Sequence, residues 1–394
     1  MYFNDFAETD RQGEFIMKNN YRSKSSDNTI FTAEVISNVY TPDSKTAGYK
    51  GSQYPTLVEL EHNGEKNGTL LASFEVFASD FSGFPVYRST DGGESFSPLT
   101  VARETIDKSL VNHWEPHLYE LPERVGDMPA GTVLLSGTTI NGTNDRKSQI
   151  AVWRSFDAGE SFEEYTVVDI AGGLSRGLWE PFIIYEDGWL YCFYSSEAYY
   201  EKHSQVLIYK RSRDGVNWSD PVDVCACDDP TLRPGMISVA KMGNGRFFAA
   251  YELVSEHGGH SDRVYYKIAD RLDGDWDPRI PGRLLVSKNG SDYIGSAPFC
   301  GWTPAGGSCG TLFVTANFGG GQYIYVSFDC GESFEAIDNP LPYTRPTGYS
   351  PCFISASDKK HVYYLNTQEC DDRFGKVMFA KLKVTGGDEI QKER

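Results

Sequence analysis

Apolar and polar residues alternate along this chain in short runs, separated by turns rich in Gly, Asp and Asn. The first clear run is Thr29 to Val39, with Ile30, Phe31, Val35, Ile36 and Val39 as its apolar positions. Period-two alternation bounded by turn residues predicts β-strands. Residues 1–28 are polar and are expected to form a loose lead-in.

Beyond Val39 one unit repeats six times. It opens with Pro, or a substitute, followed by apolar residues. The openings are Tyr54-Pro55-Thr56-Leu57, Glu115-Pro116-His117-Leu118, Glu180-Pro181-Phe182-Ile183, Gly235-Met236-Ile237, Ala297-Pro298-Phe299 and Ser350-Pro351-Cys352-Phe353, spaced 53 to 65 residues apart. Each opening leads through a turn into a second apolar run, as in Trp189 to Ser195 and Arg246 to Leu253. Repeats of this size in an all-β chain predict propeller blades. The expected fold is therefore an all-β, six-bladed β-propeller, one domain over 1–394 with blades from about 29 to 384. The strand at Thr29 to Val39 is expected to complete the last blade, whose final clear run is Val377-Met378-Phe379-Ala380.

A second repeat lies late in the units. Ser89-Thr90-Asp91-Gly92-Gly93-Glu94-Ser95-Phe96 recurs at Ser155 to Phe162 and at Ser327 to Phe334. A shorter copy runs from Ser212 to Trp218, and Asp273-Gly274-Asp275-Trp276 is a worn remnant. This is the Asp-box pattern, and with it the chain resembles the sialidase-like six-bladed propellers. The Asp carboxylate can cap turn N–H groups, and Gly supplies a positive φ. A motif present in several blades and joining third to fourth strands reads as structural. It lies on the face opposite the start of each first strand.

Chemistry is expected on that other face. Glu180 starts the first strand of blade 3, and Glu252 ends the second strand of blade 4, 72 positions later. Neighbouring blades would bring both carboxylates to one rim. Glycoside hydrolysis needs such a pair, about 5–5.5 Å apart for retention and roughly 6.5–9.5 Å for inversion. Glu75 and Glu115 form a topologically similar pair, and Trp114-Glu115-Pro116 copies Trp179-Glu180-Pro181. Topology alone leaves both pairs open.

Charge and composition narrow the partners. The formal net charge of -18 disfavours nucleic acid and an acidic membrane surface. A neutral substrate fits. The eight Cys include no C-x-x-C, and Cys225-Ala226-Cys227 is too isolated for a zinc site, so no metal and no cofactor are expected. His257 and His260 fall on a loop after Glu252 and read as rim residues. The first residues carry no basic stretch followed by an apolar run. A cytoplasmic chain, or one whose signal has been removed, is the expectation, together with a monomer.

Trp179-Glu180-Pro181-Phe182, Arg233-Pro234-Gly235-Met236 and Met242-Gly243-Asn244-Gly245 leading to Tyr251-Glu252 resemble glycoside hydrolase family 93. These are exo-α-1,5-L-arabinanases. The resemblance spans about Gly51 to Leu382 and implies Glu180 as nucleophile and Glu252 as acid/base. It also implies release of arabinobiose from the non-reducing end of plant cell-wall arabinan or arabino-oligosaccharides, with retention. Family members are typically secreted, and here no signal is seen. Trp114, Trp179, Tyr54 and Tyr194 are candidates to stack on sugar, with Tyr251 beside them, and Arg176 and Asn317 are candidates to bond hydroxyls. A sialidase is the rival enzyme. Its first arginine has no counterpart in Gly51-Ser52-Gln53-Tyr54-Pro55, although Arg233 and Arg345 sit near blade openings. A non-catalytic glycan-binding propeller is the rival from another class.

Overall fold

The computed structural model describes residues 21–25, 28–42, 51–77, 81–141, 147–172, 176–255, 263–274, 276–288, 294–316, 323–341, 349–369 and 375–385. Among them, six antiparallel sheets form a ring in which each first strand meets the next, and the sixth meets the first. Blade 1 comprises Ser52–Glu59, Leu70–Val76, Phe84–Ser89 and Ser97–Ala102. Blade 2 comprises Asn112–Glu120, Val133–Ile140, Lys147–Ser155 and Glu163–Gly172. Blade 3 comprises Leu178–Glu186, Trp189–Ser196, Val206–Ser212 and Val222–Cys225. Blade 4 comprises Leu232–Lys241, Phe247–Ser255, Arg263–Ala269 and Arg283–Leu284, and blade 5 Phe299–Thr303, Thr311–Thr315, Tyr323–Ser327 and Glu335–Asp338.

Blade 6 closes the ring. Its strands Cys352–Ser355, His361–Glu369 and Gly375–Val384 are joined by Asn28–Tyr40 from the other end of the chain. Ile36 pairs with Ala380 and Ser37 with Phe379, so the expected closure is found. Tyr21–Ser25, read from sequence as part of a loose lead-in, instead pairs with Asn28–Tyr40 as a fifth strand. The outer edge of a blade presents unpaired backbone groups that a following or preceding segment can satisfy.

The apolar residues build six cores, one in each space between blades. Leu71, Phe84 and Val86 of blade 1 meet Leu135 and Trp153 of blade 2. Phe193 and Leu207 of blade 3 meet Val239 and Ala249 of blade 4. Phe313 and Ile324 of blade 5 meet Phe353 and Tyr364 of blade 6. Both faces of every blade are therefore buried, with polar groups left to the axis and the rims.

The late repeat forms one turn four times. Asp91 accepts from the Ser95 amide at 3.1 Å, and Ser89 Oγ accepts from the Gly93 amide at 2.9 Å. Asp157 and Asp329 hold the Ser161 and Ser333 amides in the same way, and Asp214 holds Asn217. All four turns join third and fourth strands. The first also locks the ring shut, because Ser37 Oγ of blade 6 donates to Gly93 O at 2.6 Å.

Gly93 has φ +91, and a Cβ there would lie 2.0 Å from the Phe379 ring of blade 6. Gly93→Ala is thus expected to destabilise the fold by about 2–4 kcal/mol, from backbone strain and overpacking together. Urea unfolding of wild type and variant checks this; equal midpoints would show that the blade 1–blade 6 seam has slack.

Candidate active site

Near the start of the innermost strand of each blade, inside it in blades 1 to 4 and two residues before it in blades 5 and 6, lies a residue in the left-handed region. These are Tyr54 (φ 49), Glu115 (φ 60), Glu180 (φ 59), Met236 (φ 59), Ala297 (φ 50) and Ser350 (φ 55). Five of the six precede Pro. In blades 1 to 4 the strand register slips at this residue, as between Trp179 and Phe182. An L-residue in this conformation costs about 1–2 kcal/mol. The bulge turns the residue out of the sheet, so its amide and side chain face the axis.

Each of these amides needs an acceptor, and for five of the six the preceding blade supplies one. Glu115 N donates to Glu75 Oε1 at 2.7 Å, and Glu180 N donates to Glu115 Oε2 at 2.6 Å. Met236 N donates to Glu180 Oε2 at 3.0 Å, and Ala297 N donates to Glu252 Oε2 at 2.8 Å. Tyr54 N donates to Tyr349 O at 3.2 Å. Blades 1 to 4 thus each offer one carboxylate to the next blade. Where the left-handed residue is itself Glu, the facing second-strand residue is a hydroxyl that binds it: Thr138 Oγ donates to Glu115 Oε2 at 2.8 Å and Ser195 Oγ to Glu180 Oε2 at 2.5 Å. Where it is Tyr54 or Met236, the facing position carries the carboxylate, Glu75 or Glu252.

Glu180 is half-buried at the axis, whereas Glu75, Glu115 and Glu252 are buried. Burial raises Glu180 above the ordinary carboxylate value, while Ser195, Arg233 and the Met236 amide pull it back. Glu115 is pushed far above that value, first by burial and then by the charges of Glu180 and Glu75. Arg233 Nη2 binds Glu197 Oε1 at 2.7 Å. Burial opposes the Arg233 charge, but Glu197, Glu180 and Glu252 outweigh it. The phenol of Tyr349 is likewise raised by burial and by its nearness to Glu252 and Glu180. One guanidinium and one phenol therefore sense both members of the Glu180/Glu252 pair. A small cavity of about 40 Å³ sits beneath, lined among others by Tyr54, Glu115, Glu180, Met236, Phe299 and Ser350. It has room for about one water molecule. A larger cavity of about 370 Å³ opens toward the other face, beside Glu59, His62, Glu120 and Lys241, and touches neither Glu180 nor Glu252.

The remaining sequence candidates divide. Trp114 and Trp179 stack with centroids 6.1 Å apart and planes 16° apart, both half-buried beside Glu115 and Glu180. Gly177 makes room for this, since a Cβ there would fall 2.1 Å from the Trp179 ring. Tyr54 packs edge-on against Tyr349 at the cavity wall. Arg176 pairs with Glu201 at 3.1 Å on the exposed rim.

Tyr194 and Tyr251 are corrections. Tyr194 is fully buried in the core between blades 2 and 3 and donates to Asp169 Oδ2. Tyr251 is fully buried between blades 3 and 4 and donates to Pro281 O. Neither ring can meet a sugar. Asn317, His257, His260 and Arg345 lie outside the described residues. Ser195, Glu197 and Tyr349 were not singled out from sequence. Ser195 ends a second strand as Glu75 and Glu252 do, and Tyr349 stands just before the Ser350-Pro351 opening, so position in the repeat was the available signal. Among the described residues no group of three or more His, Cys, Asp or Glu could hold a metal ion.

No protein-family model and no curated protein matches the sequence. Solved structures do. An α-L-arabinanase from Penicillium chrysogenum, complexed with arabinobiose, aligns with TM-score 0.78 and 25% identity over 88% of this chain and 97% of that one. An α-L-arabinofuranosidase from Fusarium graminearum with an iminosugar inhibitor aligns with TM-score 0.77 and 25% identity over 88% and 96%. The Fusarium enzyme, as a family 93 protein with arabinobiose, aligns at 24%. A Hadza microbial sialidase shares the fold, with TM-score 0.60 and 14% identity over 89% of this chain and 69% of that one. The resemblance to family 93 read from the sequence thus extends over the whole propeller.

His117 lines the channel wall and accepts the Ile183 amide on Nδ1 at 3.1 Å. Burial lowers its pKa to about 3. An unfolded imidazole protonates near about 6.5. Between these values the unfolded chain binds the extra proton, so stability should fall as pH drops through that window. NMR of the His117 ring should show no titration from pH 8 down to about 5, and urea midpoints should fall with pH over the same range. A ring titrating near neutrality would remove this contribution.

Proposed function

We propose that this chain is a glycoside hydrolase that cleaves α-1,5-linked L-arabinan from the non-reducing end, releasing arabinobiose with retention of configuration. Glu180 is the nucleophile and Glu252 the general acid/base. The observation that carries the choice of pair is the shared surroundings of these two carboxylates. Arg233 lies within electrostatic reach of both Glu180 and Glu252; Tyr349 senses both too, and Glu115 less strongly. Glu75 and Glu115 lie on blades 1 and 2, whereas Arg233 lies on blade 4. The choice of substrate is supported by the neighbouring structures described as an arabinanase and an arabinofuranosidase, two of them with arabinobiose.

In the first half-reaction Glu180 attacks the anomeric carbon. The bond from that carbon to the leaving oxygen breaks as Glu252 delivers its proton to that oxygen. In the second, Glu252 takes a proton from water, the water oxygen bonds to the anomeric carbon, and Glu180 leaves. Two donors, Ser195 and the Met236 amide, converge on Glu180 Oε2 and orient the carboxylate. Arg233 offsets part of the upward push that burial gives Glu180. The stacked Trp114 and Trp179 rings, with Tyr54, offer apolar faces to a furanose ring. All these residues come from one chain, so a monomer suffices, and the whole propeller acts as one catalytic domain.

A sialidase reading is weaker on the same geometry. Arg233 is already neutralised by Glu197 at 2.7 Å, and blade 1 opens with Gln53-Tyr54-Pro55 rather than with arginine. A neutral sugar requires no further cation.

Incubation with linear α-1,5-arabinan and, in parallel, with sialyl-lactose tests the substrate class. Arabinobiose as the sole early product is expected; free sialic acid would overturn the reading. Glu180→Gln should abolish turnover in a folded protein. Glu252→Ala should regain turnover of an activated substrate with azide, forming a glycosyl azide; rescue of Glu75→Ala or Glu115→Ala instead would move the site. The acid limb of kcat/KM should lie above the ordinary carboxylate pKa, because activity needs Glu180 ionised and burial raises it.

A further inference from the structure

Glu115 copies Glu180 in sequence and in backbone conformation. Its carboxylate is turned onto the chain that carries Glu180. Its Oε2 accepts from Glu180 N at 2.6 Å and from Thr138 Oγ at 2.8 Å. Thr138 Oγ also lies 3.2 Å from Leu178 O. Thr138 has one proton to give to either acceptor, and Glu115 holds the chain just where it turns into the left-handed Glu180. Glu115 is itself held from behind, its amide donating to Glu75 at 2.7 Å.

We propose that Glu115 is a positioning residue for the nucleophile: as a hydrogen-bond acceptor it fixes the left-handed backbone that aims Glu180 at the substrate. The inference rests on the assignment of Glu180 as nucleophile. The left-handed conformation before Pro181 is unfavourable alone and needs an anchor. The Glu180 amide would otherwise be an unpaired donor away from water. A negative charge beside Glu180 would oppose ionisation of the nucleophile. Burial and the charges of Glu180 and Glu75 push the Glu115 carboxyl well above the ordinary carboxylate value, which favours its neutral form, and the phenols of Tyr54 and Tyr349 lie near it.

Three variants separate anchoring from charge, assayed on an activated aryl arabinobioside. Glu115→Gln keeps an acceptor oxygen and should retain near-normal kcat and an unmoved acid limb. Glu115→Leu removes the acceptor; kcat should fall by about 100-fold with KM little changed, as expected for a misaimed catalytic group. Glu115→Asp, one methylene short, should fall between and serves if the Leu variant does not fold. A folded Leu variant with normal kcat overturns the proposal. So does a Gln variant as impaired as Leu, which would mean that the charge matters. Crystal structures of the variants give a substrate-free reading: the Glu180 backbone should leave the left-handed region in Leu and keep it in Gln. An unchanged Glu180 in Leu overturns the proposal even if wild type proves inactive on arabinosides, an outcome that would by itself sink only the substrate assignment.

Discussion

A propeller has one recurrent problem at its axis. The first strand of each blade has a neighbour on one side only, so its inward amides have no strand to pair with, and a buried unpaired amide costs about 1–3 kcal/mol. This protein answers with side chains from the preceding blade. At the strand starts the acceptors are Glu75, Glu115, Glu180 and Glu252. Two to three residues deeper they are Thr56 for Leu118 N, His117 for Ile183 N and Ser238 for Cys300 N. The blades are stitched around the axis in one direction, each holding the next.

That stitching concentrates carboxylates in a small, desolvated volume. They cannot all ionise together, so their surroundings must separate them. Arg233, itself held by Glu197, lies on the Glu180 side. Glu115 meets the like charges of Glu180 and Glu75. Two residues with the same local sequence thereby meet different electrostatic surroundings, Glu180 with a cation that offsets burial and Glu115 with like charges that add to it. The chemistry is a local departure from a structural repeat.

The rest of the fold leaves this ring undisturbed. Packing is spread over six inter-blade cores, and closure comes from Asn28–Tyr40 against Gly375–Val384. The repeated Ser/Asp turns lie between third and fourth strands, away from the strand starts that carry Glu115 and Glu180. Their carboxylates are spent on their own loops, as with Asp91 on Ser95. The stacked Trp114 and Trp179 extend the axis region outward as an apolar shelf beside the carboxylates.

The blade count, the closing strand, the repeated turns and the positions of Glu180 and Glu252 were all legible in the sequence. Each depends on local period, turn chemistry or place within a repeat, and these survive in one dimension. Two kinds of fact were not. Alternation says that successive residues point to opposite faces of a blade, but in a propeller both faces are buried. Tyr251 therefore faces blade 3 and packs in a core, while Glu252 faces blade 5 and takes the Ala297 amide; Tyr194 and Ser195 divide in the same way. The second is the difference between Glu115 and Glu180, which share the same Trp-Glu-Pro setting. It arises from Arg233, Glu197 and Glu75, brought in from other strands, and a charge acts through space on whatever the fold places beside it.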